Sequence, residues 1–114
     1  MTNKTTTIEA NAPWVTLINV YEVEPEKQAE LVSLLSDATE KVMRHQPGFM
    51  SVNIHSSFDG TRVVNYAQWA SKEDFDRMLK NPEVQEQLKQ LAVLAKSVSP
   101  ALYKVNSVHA GQAT

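Results

Sequence analysis

The chain has 114 residues, 42% of them hydrophobic and 21% charged, with a formal net charge of −2. That suits one globular domain with its own core, and it is too apolar for a disordered chain. No basic stripe invites nucleic acid, and the absence of cysteine excludes disulfides, thiol nucleophiles and thiolate metal sites.

Residues 1–12 are polar and rich in threonine, with no signal-peptide core. They are read as a flexible N-terminal arm, followed by a single domain over 13–110 and a frayed tail over 111–114. No apolar run reaches 18 residues, so no membrane partner is expected and the cytoplasm is the expected location.

The stretch WVTLINVYEV (14–23) is rich in β-branched and aromatic residues and predicts a strand. One face carries Val15, Leu17, Asn19, Tyr21 and Val23; the other carries Trp14, Thr16, Ile18, Val20 and Glu22. Both are largely apolar, so both are expected to be covered. Residues 24–48 then predict a helix. Pro25 suits its first turn, Leu31, Leu34, Leu35, Ala38 and Val42 recur at helical spacing, and Pro47-Gly48 stops it.

FMSVNIHSSF (49–58) alternates Met50, Val52 and Ile54 against Phe49, Ser51, Asn53 and His55. The tight-turn pair Asp59-Gly60 and the run TRVVNYAQWA (61–70) complete a β-hairpin. Ser71, followed three residues later by Asp74, opens a short helix over 71–81 that Pro82 breaks. A further helix is predicted over 83–98, with Val84, Leu88, Leu91 and Ala95 as its apolar stripe. Pro100 ends it, and 101–110 is read as the last strand.

The order β-α-β-β-α-β is that of the ferredoxin-like α+β folds. It predicts a four-stranded antiparallel sheet with helices on one face. Ile18, Val20, Met50, Val52, Ile54, Val64 and Tyr66 are expected on the other face, which is too apolar to face water. A homodimer with two sheets packed together follows as an expectation.

The helix-side face places Asn19 between Leu17 and Tyr21, and Asn65 near Ala67 and Trp69. An unpaired buried amide costs roughly 1–3 kcal/mol. Two amides and an indole on one interior surface are therefore either satisfied within the protein or line a cavity that holds water or a ligand. The small Ala67 leaves room for such a cavity. His55 could act as an acid or base or simply sit exposed near the turn. His45 lies near a helix C-terminus, where a positive charge is favoured, and His109 lies near the tail. No two histidines have metal-ligand spacing, and neither a phosphate-binding glycine loop nor a GxSxG nucleophile elbow is present.

TLINVYEV together with PGFMSVNIHSSFDGTRVVNYAQWASKEDFDRML, in this element order, resembles the antibiotic biosynthesis monooxygenase family. The likeness spans about residues 14–108 and implies that family's dimeric α+β barrel. Within it, the sequence is most similar to the anthrone oxygenases of aromatic polyketide biosynthesis. The resemblance implies a monooxygenase that oxidises a polyphenolic anthrone to a quinone with O2 as co-substrate and no cofactor.

The resemblance also implies site residues. Asn19, Asn65 and Trp69 are the expected catalytic residues, with no metal. His55, Tyr21, Phe75 and Lys89 are the expected substrate-binding set. Phe75 stands where some members have a tyrosine, and Lys89 near an arginine of others. The haem-degrading branch needs a histidine on the helix after Trp69, and residues 71–81 contain none. Two other functions share the scaffold: a general quinol monooxygenase, and a non-catalytic protein that binds an aromatic ligand.

Overall fold

The computed structural model describes residues 4–112. Its elements are β1 (Val15–Glu22), α1 (Gln28–Lys41), β2 (Phe49–Ser56), β3 (Arg62–Trp69), α2 (Lys72–Leu79), α3 (Pro82–Leu94) and β4 (Ser97–Tyr103). Single 3-10 turns at Pro25–Lys27 and Met43–His45 flank α1. The sheet order is β2-β3-β1-β4, all antiparallel, which is the expected ferredoxin-like arrangement.

Local chemistry sets the boundaries. The Ser71 hydroxyl accepts the Asp74 backbone N–H at the start of α2. The Asn81 side chain likewise accepts the Glu83 N–H, and Pro82 occupies the first turn of α3, where a missing N–H costs nothing. α3 stops at Leu94 rather than 98, and β4 begins at Ser97 rather than 101. Pro100 therefore lies inside a strand. The sheet order explains why it is tolerated: β4 is an edge, so no ladder bond is required of Pro100 on its outer side.

A second departure changes which residues face the helices. Phe49 pairs with Trp69, but the next partners are Ser51 and Gln68, so Met50 is an extra residue in β2. This β-bulge shifts the alternation by one. Val52 and Ile54 pair with Ala67 and Asn65 and face the helices, not the open face as the unbroken alternation predicts. Asn53 and His55, opposite Tyr66 and Val64, take the open face instead.

The core lies between the sheet and the helices. Around Trp69, the buried residues Leu17, Met43, Ala67, Phe75, Met78 and Val84 pack together. Tyr21, Val23, Leu31, Leu35, Val63 and Leu91 form the neighbouring cluster. On the opposite side, Ile18, Val20, Val64 and Tyr66 are only half-buried.

The segment after residue 3, expected as a flexible arm, lies across that open face. The Thr6 hydroxyl donates to Asn53 Oδ1 (3.0 Å), and Gln68 Nε2 donates to the Thr7 carbonyl (2.8 Å). Ser51 in turn donates to Gln68 Oε1 (2.9 Å). Gln68 and Thr16 are consequently buried on a face that no helix covers.

At the hairpin tip, Asp59 Oδ1 accepts the Ser57 hydroxyl (2.8 Å), the Thr61 N–H (3.0 Å) and the Thr61 hydroxyl (2.7 Å). The Thr61 hydroxyl is the largest influence, followed by the Thr61 backbone, and together with Ser57 they hold the Asp59 carboxyl down to about 2. Because the folded value lies below the unfolded one, this contribution to stability is complete above the ordinary carboxylate range and is lost as pH falls toward 2. Urea unfolding at pH 5 and pH 2 tests this. The native chain is expected to lose more stability over that interval than Asp59→Asn, and equal losses would mean that the turn network is energetically idle.

Candidate functional site

Between the sheet and the helices lies a cavity of about 540 Å³, within the range of about 300–1,000 Å³ usual for small-molecule sites. Its floor is the helix-side face of β1 and β3, carrying Leu17, Asn19, Tyr21, Asn65, Ala67 and Trp69. Leu35, Thr39 and Met43 close one side, Phe75, Met78 and Leu79 another, and Leu88, Leu91 and Ala92 of α3 the roof. Val98, Pro100 and Leu102 of β4 complete the wall.

Asn19 and Asn65 are direct cross-strand partners in the β1–β3 ladder. That register sets two amides side by side on one face, with Cβ atoms about 4.5–5.5 Å apart. Both Oδ1 atoms are buried and without a hydrogen-bond partner, and so is Trp69 Nε1. Buried polar groups are almost always satisfied. Here three of them line one apolar cavity. A fourth such atom, Trp14 Nε1, belongs to a residue outside the cavity wall.

Trp69 is locked in place. Phe49 meets it edge-on with ring centroids 5.6 Å apart, and Phe75 does so at 6.2 Å. Such pairs contribute about 0.5–1.5 kcal/mol each beyond simple burial. Phe75 thus both lines the cavity and orients the indole, although it has no hydroxyl to offer.

The expected site residues divide in two. Asn19, Asn65, Trp69, Tyr21 and Phe75 all line the cavity. His55 does not: the Met50 bulge puts it on the open face, exposed and opposite Val64. Lys89 is exposed and absent from the wall as well. Leu88 and Leu91 turn inward on α3, and one residue beyond Leu88 lies about 100° around a helix of 3.6 residues per turn. Neither side chain reaches the cavity.

Among the described residues Tyr21 is therefore the one titratable side chain on the wall, and burial pushes its phenol up to about 12. Among the described residues no cluster of three histidine, aspartate or glutamate side chains could hold a metal ion. The wall from β4 was not foreseen. Its signal was present in the alternation Val98-Pro100-Leu102, hidden because Pro100 reads as a stop.

Residues 14–90 match the family described as antibiotic biosynthesis monooxygenase. Over 79 residues the chain is 49% identical to the tetracenomycin-F1 monooxygenase of Streptomyces glaucescens, covering 69% of this chain and 70% of that protein. Among solved structures it is similar to the monooxygenase from ActVA-Orf6 of Streptomyces coelicolor in complex with nanaomycin D. The two are 27% identical over 88% of this chain and 93% of that one, with a TM-score of 0.75. SnoaB, a cofactor-independent oxygenase from Streptomyces nogalater, shares the fold at 24% identity and a TM-score of 0.75, over 85% of this chain and 97% of its own.

Proposed function

The chain belongs to the antibiotic biosynthesis monooxygenase family and is a monooxygenase, and from that premise we propose that it oxidises an anthrone-type polyphenolic polyketide intermediate to the quinone with O2 and without a cofactor. The observation that carries this reading is the cross-strand amide pair, Asn19 and Asn65, at one level of an apolar cavity shared with the Trp69 indole: their unpaired Oδ1 atoms are acceptors for substrate hydroxyls, and their Nδ2 groups are the donors for an oxyanion. The name of the tetracenomycin-F1 monooxygenase supports a polycyclic aromatic substrate, and that of SnoaB supports cofactor independence.

Ground-state O2 is a triplet and reacts slowly with closed-shell molecules, but an electron-rich carbanion can pass it one electron. The anthrone CH2 first loses a proton to give the enolate. Among the described residues no carboxylate, imidazole or amine lines the cavity, and Tyr21 stays protonated at neutral pH, so the proton leaves to water. The Asn19 and Asn65 amide N–H groups stabilise the enolate oxygen, which favours the reactive anion. One electron passes to O2, giving superoxide and a substrate radical. The pair recombines with formation of a C–O bond, and protonation gives a hydroperoxide. Loss of water cleaves the O–O bond and removes the remaining C–H proton, leaving the quinone carbonyl. One oxygen atom ends in product and the other in water. The apolar wall keeps the radical pair away from solvent, and the Trp69 N–H is a further donor to the substrate's oxygens.

Oxygen uptake by chelator-treated protein with dithranol or emodin anthrone, against a protein-free autoxidation blank, tests the reading. Uptake well above the blank is the expected result. Uptake equal to the blank across anthrones and simple quinols would defeat it and favour a ligand-binding role. A homodimer built on the half-buried face of Ile18, Val20, Val64 and Tyr66 is part of the proposal, and sedimentation equilibrium checks it.

A further inference from the structure

We propose that Tyr21 determines specificity, donating a hydrogen bond to an oxygen on the terminal ring of the substrate, at the end of the cavity away from Trp69. The proposal rests on the reading of a polycyclic aromatic substrate given above.

The sheet register carries it. Trp69 sits opposite Val15, Asn65 opposite Asn19, and Val63 opposite Tyr21. The polar groups of the cavity floor therefore occupy three levels along one strand pair. At about 3.4 Å per residue, Tyr21 lies about 7 Å beyond the amides, and Trp69 about 14 Å before them. Leu17 and Ala67 fill the level between Trp69 and the amides. A flat ring system lying along the strands, with its reacting oxygen at the amides, directs one end ring at Tyr21.

The state of the hydroxyl points the same way. Tyr21 is only 2% exposed, yet its O–H meets no partner among the described residues, and burial alone shifts its titration. Tyr21 is one of the residues that line the cavity. Around it stand Leu35, Leu91 and Val98, all apolar. Thr39, the other hydroxyl on the wall, is already committed to the Leu35 carbonyl at 2.8 Å. An apolar pocket end with a single uncommitted donor selects a hydroxyl or carbonyl oxygen there and leaves the donor unpaired when that oxygen is missing. Because the phenol stays neutral to about pH 12, it donates throughout the working range.

Binding of two unreactive quinones, 9,10-anthraquinone and 2-hydroxyanthraquinone, read by quenching of tryptophan fluorescence, tests this without any turnover. The native protein is expected to prefer the hydroxylated ligand by about 5- to 10-fold, the worth of one net hydrogen bond. Tyr21→Phe is expected to abolish the preference and to leave anthraquinone binding within about twofold. The variant removes an unpaired buried hydroxyl, so its melting temperature should not fall. A preference retained in Tyr21→Phe overturns the proposal, as does an equal loss of affinity for both ligands, which would mark a packing role. Binding of neither ligand also overturns it, while O2 uptake with an anthrone would then still support the proposed function.

Discussion

Asn65→Ala is expected to lower kcat/KM for anthrone oxidation by about 10²- to 10³-fold, the usual cost of removing one preorganised donor from a developing oxyanion. At its acceptor end the side chain has no bond to lose: Oδ1 is buried and unpaired. Leaving such an atom unpaired costs about 1–3 kcal/mol, so its removal should leave stability unchanged or raise it. A slower but equally or more stable enzyme is the signature of a group kept for chemistry. Oxygen-electrode kinetics beside thermal melts would show it. Asn19 faces the same point from the neighbouring strand, so the double variant should cost less than the product of the two single losses. Trp69→Phe completes the series, since it deletes the N–H while keeping a ring between Phe49 and Phe75. Undiminished turnover in Asn65→Ala would remove the amide pair from the mechanism.

Gly48→Ala is expected to destabilise the fold by about 3 kcal/mol or more. Gly48 has φ of 81°, a left-handed conformation that costs a side-chain-bearing residue about 1–3 kcal/mol. A Cβ there would also overlap the Cβ and carboxyl group of Asp74. That carboxylate cannot simply swing away: it accepts the Ser71 hydroxyl (3.0 Å) and pairs with Arg77 (2.9 Å). The Gly48 carbonyl meanwhile accepts the Ala70 N–H at 2.8 Å, one residue past Trp69. The glycine thus joins the start of β2 to the start of α2 at the end of the cavity where the indole sits. Urea denaturation of Gly48→Ala in the native and Asp74→Gly backgrounds separates the two causes. The glycine substitution should cost less in the second background, where only the backbone strain remains. Equal costs would mean that the contact with Asp74 is irrelevant.

Asp74 shows where local reading stopped short. Its neighbour Asp76 pairs with Lys72 on the surface. Yet Asp74, the partner of the Ser71 cap, also packs on a glycine 26 positions earlier, which no local window shows. His55 and Lys89 lie outside the cavity wall for related reasons. The alternation through β2 predicts faces correctly only if no residue is inserted, and nothing about Met50 itself announces a bulge. The position of Lys89 follows from the rotation of α3 as it packs on the sheet, which the spacing of Leu88 and Leu91 indicates but a carried-over motif does not respect.

The sequence by itself determined the element order, the Ser71 cap of the first short helix and the fold class. Side-chain periodicity, proline and the Asp-Gly turn act over a few residues and are visible in a linear string. It also determined that Asn19, Asn65 and Trp69 share one interior surface, because a strand period of two leaves no other choice once the helices take a side. Only the tertiary structure decided that those groups are left unsatisfied around a cavity, that Pro100 lies within its wall, and that Thr6 and Thr7 bond to the open face. Those outcomes depend on register: which strand borders which, where one residue is inserted, and how far two surfaces stand apart. Register is set by the joint packing of segments distant in the chain, and no local window carries it.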